Sequence, residues 1–326
     1  MGRETSSVLR NFLRSPVKCK PDVSHRPGER LAGGRTIAGR LLAGLRSDPR
    51  YYQSAVLTSL LIYGIFWLAL EVELKQILII IPATLLTQYV CSKLFKLPGF
   101  DLRSALISAN SLCLLLRTNY AWLMALTAVV TILGKFTLRW NGKHIFNPTN
   151  FGLVAMMLLT GQVWVSPAQW GSQAYLAFLI ACLGGLVVYR AARSDVTYAF
   201  LISYALILFA RALWLGDPLT IPLRQLQSGA FLIFSFYMIS DPKTTPNSRA
   251  GRISFAFLVA AGAGYVHFVL FRTNGLLWSL AFFSLCAPLI DTLLPGKRYE
   301  WKETKGASDE KIFVRPGARV DPAAQR

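Results

Sequence analysis

The chain reads as an all-α integral membrane protein of about ten transmembrane helices, set as two five-helix inverted repeats with short broken helices. Composition, charge placement and the spacing of apolar segments predict this. Hydrophobic residues make up 53% of the chain and charged ones 16%, where about 25% charged is usual for a soluble domain. The charges are also segregated. Residues 1–50 hold eleven Lys and Arg, residues 297–326 hold eight more, and long runs between them hold almost none. Three parts follow: a basic N-terminal extension over 1–50, a polytopic membrane domain over 51–296, and a polar C-terminal tail over 297–326.

A spanning helix needs about 20 apolar residues. Candidates lie at 54–71, 76–95, 104–117, 119–139, 149–163, 173–190, 196–215, 226–240, 253–271 and 275–294. Segments 104–117, 149–163 and 226–240 are short. They suit half-helices that stop inside the protein against a polar loop. With the N-terminus placed in the cytoplasm, the loops after helices two, four, six and eight carry ten Lys and Arg. The opposite loops carry four: Lys75, Arg117, Arg224 and Arg272. That bias predicts a plasma (inner) membrane protein with both termini cytoplasmic. Each set of five helices has a short third helix ending in a polar corner: Arg117-Thr118-Asn119 in the first set, Ser240-Asp241-Pro242 in the second. Five is odd, so the second set enters the membrane inverted.

The net charge is +19. Its concentration beside apolar spans points to anionic lipid headgroups at the basic termini rather than to nucleic acid. The first fifty residues have no apolar core of a signal peptide; an amphipathic surface helix fits near Ile37–Leu45. Cys19, Cys91, Cys113, Cys182 and Cys286 are scattered without a C-x-x-C pair, so no disulfide framework is expected. A role for Cys113 or Cys286 as an iron–sulfur ligand stays an alternative to plain packing.

Polar residues inside or beside the spans are the candidate site. Asp241-Pro242-Lys243-Thr244-Thr245-Pro246, followed by Arg249 and Arg252, combines a helix-ending proline with a carboxylate, cations and hydroxyls. That set suits a phosphate or a flavin carbonyl, or it is a capping loop with ordinary cytoplasmic charges. Lys135 lies in an apolar span, where an ion is costly and commonly functional, though its helix ends close enough for the side chain to snorkel. Asn147 before Pro148 fits a helix N-cap, with Thr149 and Asn150 behind it. Asp291 in the last span either pairs with a nearby cation or serves an ion path. Snorkelling accounts for Arg211. Gly184-Gly185 and Gly262-Ala263-Gly264 suit close helix packing. No catalytic residue and no metal ligand is assigned; His144 and His267 lack ligand spacing.

Three ordered motifs resemble a known family. Gly134-Lys135, Trp140-Asn141-Gly142-Lys143 and Phe146-Asn147-Pro148 with Gly152 resemble a signature of the D subunit of the Rnf electron transport complex. The B subunit of the sodium-pumping NADH:quinone reductase shares it. Phe236-Tyr237-Met238-Ile239-Ser240-Asp241-Pro242-Lys243-Thr244-Thr245-Pro246 with Gly251-Arg252, and Cys286-Ala287-Pro288-Leu289-Ile290-Asp291, resemble two further signatures. The resemblance covers roughly residues 50–296. It implies a ten-helix fold similar in outline to urea transporters, and a role coupling electron flow to sodium or proton transport beside other membrane subunits. It also implies a flavin phosphate joined to a threonine of an S-G-A-T motif. This chain departs there: its nearest string is Ser228-Gly229-Ala230-Phe231, and Phe231 has no hydroxyl to esterify. The expected cofactor is therefore FMN or riboflavin held non-covalently, with Lys135, Asn147, Thr149, Asp241, Lys243, Thr244, Thr245 and Arg249 as its candidate contacts. Competing readings are a small-solute or ion transporter on the same scaffold, and a standalone accessory or scaffold protein, as in natural-product gene clusters.

Overall fold

The computed structural model describes residues 48–66, 72–97, 99–165 and 174–300. Most of the predicted basic extension with its surface helix near Ile37–Leu45, and the tail from 301 on, lie outside the described residues.

Each of the ten apolar segments is helical over most of its described residues. The first five are α1 (Pro49–Phe66), α2 (Leu74–Leu94), α3 (Leu102–Leu115), α4 (Ala121–Thr137) and α5 (Pro148–Thr160). The second five are α6 (Ala174–Arg190), α7 (Ser194–Leu215), α9 (Gly229–Ile233, continuing as a π-turn over Phe234–Met238), α10 (Arg249–Phe268), and α11 (Gly275–Ser284) with α12 (Ala287–Leu293). The short α8 (Thr220–Leu226) precedes α9. Two antiparallel ladders interrupt the helices: β1 (Leu116–Arg117) with β4 (Trp164–Val165), and β2 (Arg139–Trp140) with β3 (Lys143–His144). By length and composition α2 and α7 can each cross a membrane alone, and α11 with α12, bent by 49°, makes a third.

Packing repeats between the two sets. The second helix packs most closely on the fourth (α2 on α4, α7 on α10), and the fourth on the fifth (α4 on α5, α10 on α11). The first packs on the third (α1 on α3, α6 on α9), while α1 meets α6 and α5 meets α11 across the sets. Glycines permit the closest approaches. A Cβ on Gly152 would collide with Thr131 of α4, and one on Gly184 with Phe236 of the π-turn. Gly262 likewise faces Ser279 and Phe283 of α11.

The short helices end where other groups take up their freed carbonyls. At the end of α3, Gln76 Nε2 donates to Leu116 O (2.8 Å) and Cys113 O (3.2 Å), and Arg117 Nη1 donates to Leu116 O (2.6 Å). In α9 the wider π-turn leads into Ser240, whose hydroxyl donates to Phe236 O. Two helices start earlier than hydropathy predicts because polar residues cap them. Asp48 Oδ1 accepts from Arg50 N (3.0 Å) at α1, and Ser248 Oγ accepts from Gly251 N (3.0 Å) at α10. Asp48–Arg50 therefore belong to the helical bundle rather than to the extension.

Candidate ligand-binding site

The basic loops gather at one end of the bundle, and a cavity of about 290 Å³ opens among them. Its walls come from α1 (Arg50, Gln53), α2 (Gln88), α3 with its N-cap (Asp101, Ser104, Ser108, Ser111) and α4 (Lys135, Phe136). Arg139, His144, Asn147 and Thr149 close a second side, and Tyr237, Met238, Asp241 and Lys243 a third. The volume sits near the lower bound of ordinary ligand pockets, about 300–1,000 Å³.

Lys135 is the centre of this site. It is 8% exposed and turns inward instead of snorkelling. Its Nζ donates to Gln88 Oε1 (3.0 Å) and Ser104 Oγ (2.7 Å), both neutral. Among the described residues it forms no ion pair. Its direct partners are neutral, and the cavity carboxylates Asp101 and Asp241 act on it only at longer range.

Asp241 faces it across the cavity. Pro242 ends the helix, and Asp241 Oδ1 accepts from Lys243 N (3.0 Å) to close the turn. Its Oδ2 accepts from Asn147 Nδ2 (3.4 Å). Asn147 is also the predicted N-cap, its Oδ1 accepting from Asn150 N at 3.1 Å, with Pro148 next in the first turn. One side chain thus starts α5 and orients the carboxylate. Burial lowers the Lys243 ammonium from its usual range, and its Nζ donates to Tyr299 O (3.4 Å). His144 is pushed down to about 3, chiefly by burial and then by the Arg139 and Lys135 charges, so its ring is neutral.

Lys135, Asn147, Thr149, Asp241 and Lys243 therefore line one cavity. Thr244 and Thr245 stand behind it. Thr244 Oγ1 donates to Asp241 O (3.3 Å), and Thr245 Oγ1 accepts from Arg193 Nε (3.1 Å), so both hold the turn. Arg249 is exposed on the first turn of α10, away from the cavity. Gln88, Ser104, Asp101 and Arg50 complete the site without any motif to announce them. For Gln88 and Ser104 a neutral polar residue within an apolar segment was the only sequence signal.

Ion pairs fasten the loops around the cavity. Arg50 binds Asp48 (2.7 Å) and Asp101 (2.7 Å), joining α1 to the start of α3. Asp291 pairs with Lys143 (2.6 Å) and accepts from Asn247 N (2.7 Å), as its pairing reading expects. Arg252 grips Asp195 (2.5 Å). Arg211, on the opposite end, lies beside Asp217 (3.6 Å) and over Phe268. Cys113 is buried and Cys286 half-buried; both are free thiols, and no cluster of metal-binding side chains occurs among the described residues.

A second, more apolar cavity of about 240 Å³ opens at the opposite end among Leu115, Tyr204, Phe231, Phe234, His267 and Asn274. Met238 lines both cavities.

Comparison with known proteins places the resemblance. Residues 158–300 match the family described as "NQR2, RnfD, RnfE family". Curated proteins named as the D subunit of an ion-translocating oxidoreductase complex are similar. The one from Erwinia tasmaniensis is 28% identical over 162 residues, 48% of this chain and 41% of its own. The one from Mannheimia succiniciproducens is 33% identical over 122 residues, 36% of this chain and 33% of its own. The one from Alcanivorax borkumensis is 28% identical over 156 residues, 47% and 43%. The match thus spans about two fifths of the first relative's length. The comparisons bear out the motif resemblance: this helical membrane protein resembles the Rnf D and sodium-pumping reductase B subunit family, most clearly over residues 158–300.

Proposed function

We propose that this chain is a membrane subunit of an Rnf- or Nqr-type electron transport chain that couples redox chemistry to ion transport, and that its inner cavity holds a flavin without a covalent bond. One observation carries the reading. Segments from two of the three family-like motifs, at Lys135 to Thr149 and at Tyr237 to Lys243, converge on a single polar cavity. The donor set fits the pyrimidine edge of an isoalloxazine, which presents carbonyl, N–H and carbonyl in a row. Lys135 supplies a donor to a carbonyl, and Asp241 an acceptor for the N–H. A flavin bound there supplies one- and two-electron chemistry. The chain's residues bind and orient it, and Lys135 and Lys243 offset negative charge gained on reduction. Its partners in this reading are other membrane electron-transport subunits.

The repeated packing of α1–α5 and α6–α12 supports ten spans in two inverted five-helix repeats, with the basic end and both termini cytoplasmic in the plasma membrane. Purification in mild detergent tests the flavin: the visible spectrum is recorded before and after denaturing precipitation. Flavin absorption moving to the supernatant is expected. A chromophore staying with the pellet contradicts the non-covalent attachment, and a colourless protein purified with its partners contradicts the flavin.

A second reading, a small-solute or ion transporter on the same scaffold, is favoured by the two cavities that meet at Met238. Uptake into vesicles with no redox donor present separates it from the first.

A further inference from the structure

The basic end of the bundle carries a second polar recess that the inner cavity does not account for. A groove of about 250 Å³ lies between the β2–β3 hairpin and α12, with Trp140, Lys143, Pro288, Asp291, Thr292 and Arg298 along it. His144 is the residue it shares with the inner cavity.

The charges in this groove do not balance. Lys143 pairs with Asp291 at 2.6 Å, and Asp291 is the one carboxylate lining the groove among the described residues. Arg298 is left over. It is exposed and forms no ion pair among the described residues. Arg298 Nη1 donates to Asn141 O (3.1 Å) and Nη2 to Gly142 O (2.6 Å), the turn of the hairpin. These bonds fix the guanidinium at the groove, and a guanidinium carries five N–H groups, so donors and a full charge remain for an anion. Burial lowers the Lys143 ammonium, and the nearby charges of Arg193 and Arg298 lower it further against the pull of Asp291. An anion in the groove relieves that crowding of cations.

The edges of the groove are apolar. Trp140 is 59% exposed, and tryptophan rings settle at the level of lipid headgroups. On α12, Pro288 and Thr292 face the groove, while their neighbours Leu289 and Leu293 are 60% and 71% exposed. A ligand seated here meets a fixed guanidinium at one end and lipid-facing leucines at the other. The volume suits a headgroup and not a whole lipid.

We propose that this groove holds the phosphate of an anionic phospholipid, bound by Arg298 and edged by Trp140, with the acyl chains lying along Leu289 and Leu293. The planar fork of an arginine matches two phosphate oxygens, and basic pockets at the cytoplasmic ends of membrane helices receive such headgroups. The site lies within the bundle, apart from the basic termini, and is independent of what the inner cavity holds.

The full chain in mild detergent, titrated with phosphatidylglycerol and followed by native mass spectrometry, tests it. Phosphatidylglycerol is expected to bind more tightly than phosphatidylcholine. One cationic side chain near a membrane surface changes affinity for an anionic lipid about fivefold, so Arg298→Ala is expected to weaken the first bound phosphatidylglycerol by about that factor. Thr292→Glu, at an exposed position of the same groove, leaves the Arg298 tether in place and is expected to weaken it similarly. Arg224→Ala removes an exposed cation from α8, outside the groove, and is expected to change nothing. Parent affinity in both groove variants overturns the site. Equal weakening by Arg224→Ala overturns it too, since general surface charge then explains the binding. Glycerol phosphate in large excess is expected to leave the lipid bound; displacement by it overturns the lipid as the source of the phosphate.

Discussion

Asp241→Asn, alone and with Asn147→Asp, isolates the contact that orients the cavity carboxylate. In the single Asp241→Asn variant the new amide oxygen keeps the bond from Lys243 N. Its NH2 group then faces Asn147 Nδ2, a donor against a donor, and turning the amide over sacrifices the Lys243 bond. A hydrogen bond to a charged group contributes about 1.5–3 kcal/mol. At 3.4 Å the lower figure applies, about 1.5 kcal/mol, which corresponds to a fall of about 2 °C in apparent melting temperature for a chain of this length. The reciprocal change restores complementarity. The carboxylate introduced at position 147 still caps α5 through Asn150 N, because Asp is as good an N-cap as Asn. Its second oxygen accepts from the amide introduced at position 241. The bond from residue 147 to Met238 O, present in the parent at 3.4 Å, is not recovered. The double variant is therefore expected to regain about half or more of the loss. Thermal unfolding of the four proteins in one detergent, followed by tryptophan fluorescence, measures it. A double variant no more stable than the worse of the two single variants refutes the pairing.

Other perturbations follow from the same geometry. Lys135→Met removes a buried ammonium along with its bonds to Gln88 and Ser104. The stability terms largely offset, whereas ligand retention measured by gel filtration is expected to fall about tenfold or more. Gly152→Ala places a Cβ against Thr131 in the α4–α5 contact. Its expected cost is about 1–3 kcal/mol of overpacking, and adding Thr131→Ala relieves only part, since the Thr131 Cβ and Cα also obstruct. His144, held neutral down to about pH 3, titrates near 6.5 once unfolded. Its contribution is therefore intact above pH 6.5 and is lost as the pH falls toward 3, by at most about 1.4 kcal/mol per unit. His144→Gln is expected to flatten that stretch of the stability–pH profile; an unchanged slope contradicts the assignment.

Hydropathy located the ten apolar helices because a lipid-facing segment has to be apolar along most of its length, and the charged ends can only collect where the helices stop. The N-cap at Asn147 and the turn at Asp241 were legible because capping is local: donor and acceptor lie within three residues. The partners of Lys135 were not. Gln88 is 47 positions away in another helix, and a single neutral amide does not disturb an apolar profile. Arg249 looked equivalent to Arg252 in the sequence. Arg252, within the helix, reaches Asp195, while Arg249, at the first helical position, is exposed. The π-turn over Phe234–Met238 has no composition that marks it, since it is a change in backbone winding within an aromatic run.

Met238 has an electrical consequence. Two cavities approach it from opposite ends and both are lined by it, so the layer of protein that insulates one end from the other is thinned around it. Where solvent or mobile charge fills both cavities, the membrane potential falls mainly across that residue. A unit charge crossing it takes up most of the roughly 2.3 kcal/mol available per 100 mV, while a charge moving within either cavity takes up little. The bulk and polarizability of residue 238 thus govern how steeply any charge movement through this chain depends on voltage.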